Sequence, residues 1–155
     1  MREKMPAERK GVIQKFTLVA RVFNPDGSLG EGTQEIKGYI TANVYPDKRD
    51  NGEPCPLAGQ LGEVFVKMGK PGSKEALLDA WAIEFSKSLQ RGDNLEKLCK
   101  KHRHTQFEPS GGVVGIEGIT KCTSPTDLVC SWLMRKFGGE GEEILRTTIT
   151  VPVGS

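Results

Sequence analysis

The sequence predicts an α+β domain in which an antiparallel sheet carries packed helices on one face. Two observations lead to this class. Segments with the alternating, Val- and Phe-rich pattern of strands fill the first half of the chain, and segments with helical periodicity fill the second half. The 155 residues, 36% of them hydrophobic and 27% charged, are typical of one globular domain with a sizeable core.

Three strands are predicted in the first half of the chain. Residues 12–23 are rich in Val and Phe, and the turn residues Asn24–Gly27 follow them. Residues 34–45 form the second strand, in which Gly38 indicates a β-bulge. After a Pro- and Gly-rich excursion, residues 62–69 alternate as the third strand. Their order predicts an antiparallel meander.

Three helices are predicted in the second half. Residues 74–90 place large apolar side chains on one helical face, with Ser73 as the N-cap. A shorter helix spans 94–103. The third helix spans 125–137, with Ser124 as its cap, a proline at the favoured first position and glycines after its last residue. The residues that we expect to be buried together are Trp81, Phe85, Leu89, Leu128, Trp132 and Leu133.

The chain ends are predicted to extend from a single domain over residues 12–143. Residues 1–11 are polar and charged, which indicates a flexible tail, and residues 144–155 contain a β-rich run that forms a strand or an extension. No apolar run approaches the length of a membrane span, and the N-terminus lacks the apolar core of a secretion signal. We therefore expect a cytoplasmic protein without a membrane partner. Open sheet edges indicate a homo-oligomer.

The stretch from Lys100 to Trp132 is the candidate functional segment. It contains both histidines, two of the four cysteines and several basic residues. Pro109 and the pair Gly111–Gly112 are expected to interrupt regular structure, so residues 107–124 are predicted to form a long, packed loop. Long ordered loops in small domains often carry function.

The basic residues of this segment are candidates for binding phosphate. Glycine turns and helix N-termini present backbone N–H groups to anions, and Lys or Arg adds charge. The alternative is a solvated helix face whose glycines serve turn geometry alone. Glu108 either accepts a hydrogen bond from a ribose or base edge, or caps a turn. The candidate ligand-binding residues are Lys101, Arg103, His104, Thr105, Glu108, Ser110, Gly111, Gly112, Lys121, Thr123 and Ser124.

Zinc binding is the competing chemistry for the same segment. The possible ligands are His102, His104, Cys99, Cys122 and Cys130. The alternative is that Cys99 and Cys130 are small apolar core residues on their helices. No CxxC pair occurs, and no identified base accompanies Cys122 as a nucleophile. We predict no catalytic residue, no bound metal and no cofactor.

Four blocks follow one another along the chain: GYITANVYPD at 38–47, GEVFVKMGKPGS at 62–73, SLQRGDNLEKLCKKHRHTQFEPSGG at 88–112 and CTSPTDLVCSWL at 122–133. Together they resemble the TSCPD domain, which occurs at the C-terminal end of adenosylcobalamin-dependent ribonucleotide reductases and in small free-standing proteins. Where that family has Thr-Ser-Cys-Pro-Asp, this chain has Thr-Ser-Pro-Thr-Asp at 123–127. The cysteine of the motif is absent, which argues against a redox role for it here.

The resemblance implies a setting in nucleotide metabolism without the reductase chemistry itself. The large catalytic barrel is missing from this chain, and no cysteine follows Cys130. We therefore expect a non-catalytic nucleotide-binding or accessory module. Its partners would be a nucleotide or nucleotide-derived ligand and a ribonucleotide reductase large chain. The alternatives are an independent protein, such as a viral one, that sequesters a nucleotide signal, a docking module without a ligand, and a metal-dependent nucleotide hydrolase.

Overall fold

The computed structural model describes residues 2–69 and 73–138, and of residues 73–76 it describes the backbone alone. Within these ranges an antiparallel sheet of five strands, in the order β3-β2-β1-β4-β5, packs against three helices. The strands are β1 (Lys10–Phe23), β2 (Leu29–Val44), β3 (Leu61–Met68), β4 (Gly111–Val114) and β5 (Lys121–Cys122), and the helices are α1 (Ser73–Gln90), α2 (Leu95–His102) and α3 (Pro125–Phe137). The predicted α+β class is confirmed.

All six predicted helices and strands are present, and β2 differs most from its predicted bounds. It begins at Leu29 because a tight turn, closed by the Asn24 N–H donating to the Ser28 carbonyl at 2.8 Å, lets β1 and β2 pair almost to their tips. The bulge predicted at Gly38 is wrong, since Gly38 pairs in regular register with both neighbouring strands. A Cβ at this position would collide with the Phe16 ring, so the glycine makes room for a core side chain.

The segment predicted as an irregular loop, residues 107–124, contains two further strands. Gly111 and Gly112 begin β4, which pairs with β1 on one side and β5 on the other. The expectation that this glycine pair forms a turn open to a ligand is therefore wrong. Gly111 has a φ of 146°, and a Cβ there would collide with the Val19 carbonyl oxygen, so glycine permits the close approach of two strands.

The core lies between one face of the sheet and the helices. Alternate residues of the three long strands face it, and the helices contribute their apolar stripes. Of the residues expected to be buried together, all but Trp81 are buried, and Trp81 is half-buried against the rim of the core. Gly138 ends α3, and its N–H donates to the Met134 carbonyl at 3.1 Å.

Residues 2–9, predicted as part of a flexible tail, instead contact the domain. Met5 packs with Tyr45 and Cys55 in a small second cluster. The Tyr45 hydroxyl donates to the Glu3 carbonyl at 2.6 Å, and the Glu3 carboxylate accepts a hydrogen bond from Arg49 at 2.8 Å. Burial raises the pKa of Tyr45 to about 12. Buried contacts and an ion pair therefore hold the segment.

Helix α1 covers the outer edge of β3. The Ser86 hydroxyl oxygen accepts the Val64 N–H at 2.9 Å and the hydroxyl donates to the Val64 carbonyl at 3.2 Å, while the Gln90 amide donates to the Gly62 carbonyl at 3.0 Å. Side chains thereby satisfy backbone groups that an edge strand leaves open.

The homo-oligomer expected from open edges stays a prediction, and the predicted strand at 144–153 lies outside the described residues. No helix in the described ranges is long and apolar enough to cross a membrane.

Replacing Trp132 with Ala should lower the free energy of unfolding by about 3–5 kcal/mol, because it empties a central core position. Urea denaturation followed by circular dichroism measures this. Trp132→Phe is the matched control. Trp132→Phe should lower the free energy of unfolding by much less, because its ring still fills most of the space and the Trp132 indole N–H has no hydrogen-bond partner among the described residues. Equal losses for the two variants would contradict this account of the core.

Candidate functional site

The buried carboxylate of Asp127 joins the two ends of the candidate segment. Asp127 lies in the first turn of α3 and is 4% exposed. One carboxylate oxygen accepts the His104 N–H at 2.6 Å, and the other accepts the Thr123 N–H at 3.0 Å. The Asp127 N–H in turn donates to the Ser124 hydroxyl oxygen at 3.0 Å, which is an N-cap. The chain leaving α2 and the chain entering α3 are thus held at the same helix end.

Hydroxyl groups extend this connection. The Thr105 hydroxyl donates to the His102 carbonyl at 2.6 Å and lies 3.0 Å from the hydroxyl oxygens of both Ser124 and Thr126. The Thr123 hydroxyl donates to the Thr105 carbonyl at 2.7 Å. These predicted ligand-binding hydroxyls are therefore bonded inside the fold. The start of α3 is buried, and the protein's own carboxylate occupies it, so it is not the open phosphate site that the sequence indicated.

Exposed basic side chains surround the end of α2. Lys101 and Arg103 are exposed, and the His104 side chain is 78% exposed. His104 has a φ of 65°, an uncommon backbone conformation for a residue other than glycine, and the bond from its N–H to Asp127 holds it there. Lys101 and Arg103 form no ion pair within the described part of the chain.

Glu108 is held in place on the far side of the loop. Its carboxylate accepts hydrogen bonds from Arg21 at 2.6 Å, and from the Ser110 N–H and hydroxyl at 2.9 Å each. Partial burial by itself would raise the pKa of Glu108, but the hydrogen bonds from Ser110 and Arg21 outweigh it and hold that pKa below its usual range. Glu108 is therefore a fixed, ionised acceptor at neutral pH.

Lys121 lies apart from the other basic residues of the predicted site. It pairs with Gly112, which pairs with Val19, while its neighbour Cys122 faces the core and is buried. Paired residues of neighbouring strands point to the same side of a sheet, so Lys121 lies on the face without helices. The structure does not bring it together with the basic residues at the end of α2.

The cysteines are packed in the core. Cys99 and Cys130, both with no exposed surface, lie beside each other on α2 and α3. A hydrogen bond with Cys99 and burial raise the pKa of Cys130 far above its ordinary value, and burial raises the pKa of Cys122 to about 11. Across residues 2–69 and 73–138, no three His, Cys, Asp or Glu side chains are arranged to hold a metal. The absence of stoichiometric zinc remains a prediction for elemental analysis.

A cavity of about 460 Å³ lies between α1, the loop after α2 and the start of α3. We call it the aromatic cavity. Its lining residues are Leu77, Leu78, Trp81, His102, Thr105, Gln106, Phe107, Glu108, Pro109, Pro125 and Thr126. The loop wall is fixed because the Phe107 N–H donates to the Thr123 carbonyl at 3.1 Å. Two of the predicted site residues, Thr105 and Glu108, thus border one concave surface.

Trp81 and His102 form the floor of the aromatic cavity. Their rings meet edge to face with centroids 5.5 Å apart, and the Trp81 indole N–H donates to His102 Nδ1 at 3.4 Å. Burial and the nearby charge of Lys101 lower the pKa of His102, so its ring is neutral and able to accept this bond at neutral pH. The helical periodicity of α1 predicts that Trp81 is buried in the core. Trp81 lies at the margin of the apolar stripe of α1, and this position is the feature of the sequence that could have indicated a role in a cavity.

The fold and the site define a small α+β domain in which a buried aspartate fastens a loop to a helix start and thereby forms a cavity. The family description that matches is the TSCPD domain, over residues 18–137. The chain belongs to the TSCPD domain family. The earlier resemblance is confirmed.

Three similar proteins are each described as a vitamin B12-dependent ribonucleotide reductase. The one from Streptantibioticus cattleyicolor is 37% identical over 112 residues, which cover 72% of this chain and 14% of that protein. The one from Rhodopirellula baltica is 28% identical over 133 residues, which cover 85% of this chain and 10% of that protein. The one from Agrobacterium fabrum is 31% identical over 129 residues, which cover 83% of this chain and 8% of that protein. The chain therefore spans 8–14% of the length of these relatives. No solved structure matches it.

Replacing Asp127 with Ala should lower the free energy of unfolding by about 1.5–3 kcal/mol, the range for a hydrogen bond to a charged group, and can cost more because two N–H groups lose their acceptor. Urea denaturation provides the measurement. Asp93→Ala is the control, since Asp93 is exposed and should change stability by less than about 0.5 kcal/mol. Similar effects at both positions would refute the role of Asp127.

The cysteines of the folded protein should react slowly with a thiol reagent near neutral pH, because all four are buried and the thiolate is the reactive form. The rate at Cys122 should rise as the pH approaches about 11. Mass spectrometry after timed alkylation locates the modified residue, and protein unfolded in urea is the control. Rapid labelling of Cys122 at neutral pH in folded protein would contradict its burial.

Proposed function

We propose that this chain is a non-catalytic accessory domain that binds a nucleoside phosphate, with the base in the aromatic cavity and the phosphate on the basic residues at the end of α2. One observation carries the proposal: a cavity of about 460 Å³ with aromatic walls adjoins exposed basic side chains. Its size lies in the range of small-molecule sites, which combine apolar walls with a few polar groups.

The walls suit a nucleobase. Trp81 and Phe107 offer ring surface, and Phe107 is 46% exposed, so its ring is accessible to a ligand. Stacking of a base on an aromatic side chain contributes about 1–3 kcal/mol. Gln106 can both donate to and accept from a base edge, and the ionised Glu108 can accept from a base amino group or a ribose hydroxyl.

The phosphate would lie at the end of α2. His102 and Thr105 line the aromatic cavity, and Arg103 and His104 lie between them in the chain with exposed side chains. Arg103 can bind a phosphate through two parallel hydrogen bonds, and Lys101 adds a second positive charge. Lys121 is not part of this arrangement because it lies on the other face of the sheet.

The groups around the cavity favour binding over catalysis. The His102 Nδ1 is occupied by the Trp81 indole, and Glu108 is fixed by Arg21 and Ser110. Neither therefore stands as a free base beside a nucleophile. The same site would equally serve a protein that sequesters a nucleotide signal, if it holds the ligand tightly without any partner chain.

A second candidate function is docking to a ribonucleotide reductase large chain. Leu77 is 71% exposed beside the cavity, and an apolar side chain of a partner would fill the same space. The similar reductases are seven or more times longer than their matching segment, since that segment is at most 14% of their length. This domain would then act in association with such a chain. Co-purification with a reductase, without a bound small molecule, favours this candidate.

Isothermal calorimetry with nucleoside triphosphates, deoxynucleotides and cyclic dinucleotides tests nucleotide binding. Arg103→Ala should weaken the binding of the active ligand by about 1.5–3 kcal/mol, the range for a charged hydrogen bond. Phe107→Ala should weaken it by about 1–3 kcal/mol through lost stacking. Higher salt should also weaken it, because charge attraction is screened.

Arg91→Ala is the matched control, since Arg91 is an exposed arginine that does not line the aromatic cavity and should leave the affinity unchanged. No heat with any nucleotide, in protein shown to be folded, would leave docking as the better function. Binding that survives both Arg103→Ala and Phe107→Ala would place the nucleotide elsewhere.

A further inference from the structure

The face of the sheet opposite the helices presents an aromatic ring between lysines. Lys15 of β1 pairs with Tyr39 of β2, which pairs with Lys67 of β3. Their strand neighbours Phe16, Ile40 and Val66 point into the core, so these three side chains point outward. Tyr39 is 43% exposed, so its ring is accessible to a ligand. We call this surface the open face.

The next rows add further positive charge. In the second row, Thr17 of β1 pairs with Lys37 of β2 and with Val114 of β4. In the third row, Val19 of β1 pairs with Glu35 of β2 and with Gly112 of β4, and Gly112 in turn pairs with Lys121 of β5. Lys67 lies 3.6 Å from Asp79, so its charge is partly compensated. The positive charges of Lys15, Lys37 and Lys121 in these rows outnumber the negative charge of Glu35, so this part of the surface is positively charged. A shallow groove of about 640 Å³ runs between Lys15, Lys37, Tyr39 and Val114.

A second exposed ring lies one row away. Phe65 of β3 pairs with Thr41 and is 44% exposed. It is the diagonal neighbour of Tyr39, and diagonal neighbours on paired strands are about 7–8 Å apart. Two rings at this separation can each stack against a separate base.

We propose that the open face binds single-stranded nucleic acid, with bases stacked on Tyr39 and Phe65 and the phosphate backbone contacting Lys15 and Lys37. Exposed rings on a sheet bind unpaired bases because every base has a stacking face, and nearby lysines neutralise the phosphates. This function goes beyond nucleotide binding at the aromatic cavity, whose Trp81 and Phe107 lie elsewhere.

The charges favour nucleic acid over a second copy of the chain. Two open faces packed against each other about a twofold axis would oppose like patches of lysine and desolvate them, which is unfavourable. Duplex DNA would satisfy the lysines but would leave Tyr39 and Phe65 without bases to stack on. Phosphate charge together with unpaired bases complements both parts of the surface.

Fluorescence anisotropy with a labelled oligothymidine strand, and with a duplex of the same length, tests the proposal on the full chain at low salt. The single strand should bind saturably and at least tenfold more tightly than the duplex. Tyr39→Ala should weaken binding by about tenfold or more, whereas Tyr39→Phe should retain it. The double variant Lys15→Gln, Lys37→Gln should reduce the dependence of affinity on salt.

Lys97→Gln is the matched control, because Lys97 is exposed on α2, away from the open face, and should leave affinity unchanged. The proposal would be overturned if the single strand did not bind, if the duplex bound equally tightly, or if Tyr39→Ala left the affinity for the single strand unchanged. Dimerisation that Tyr39→Ala abolishes, without oligonucleotide binding, would assign the face to a second copy. Calorimetry of mononucleotides on the Tyr39→Ala protein separates this proposal from the aromatic cavity, where binding should persist.

Discussion

The bonds accepted by the buried carboxylate of Asp127 are the constraint on which the candidate site depends. They bring the end of α2 and the start of α3 together, although His104 and Thr123 are far apart in the chain. Once Thr123 is held, its carbonyl accepts the Phe107 N–H and sets the wall of the aromatic cavity. A single side chain thereby fixes an uncommon backbone conformation at His104 and positions the loop, while the Ser124 hydroxyl caps the helix. The carboxylate also lies where the helix dipole favours negative charge.

This arrangement gives a physical account of the altered family motif. Ser124 and Asp127, which perform the capping, are retained, and Pro125 takes the position where the family has its cysteine. A proline at the first turn of a helix loses nothing, because the N–H that it lacks would have no partner within the helix. The structural part of the motif is therefore intact, and thiol chemistry is lost at that position. The neighbouring Cys122 does not replace it, since burial keeps its thiol protonated.

Local signals predicted the six long elements, and contacts between distant residues decided the rest. Helix α3 has its predicted bounds because Ser124, Pro125 and Gly138 mark its ends within the sequence itself. Strand β4 was missed because Gly111 is in a strand only by pairing with β1, far away in the chain. The same long-range register places Lys121 on the opposite face of the sheet, which no local pattern could show. Of the predicted site, Thr105 and Glu108 line the aromatic cavity and Arg103 and His104 are close to it in the chain, whereas the hydroxyls of Thr123 and Ser124 are engaged within the fold.

The indole signals of ¹⁵N-labelled protein report whether a nucleoside phosphate binds in the aromatic cavity, as we propose. The chain has two tryptophans, one lining the cavity and one in the core, so each spectrum contains its own control. During titration with the ligand, the Trp81 indole N–H signal should shift saturably, because that group borders the cavity and bonds to His102. The Trp132 signal should stay in place. A saturable ligand that leaves the Trp81 signal unmoved would contradict the account.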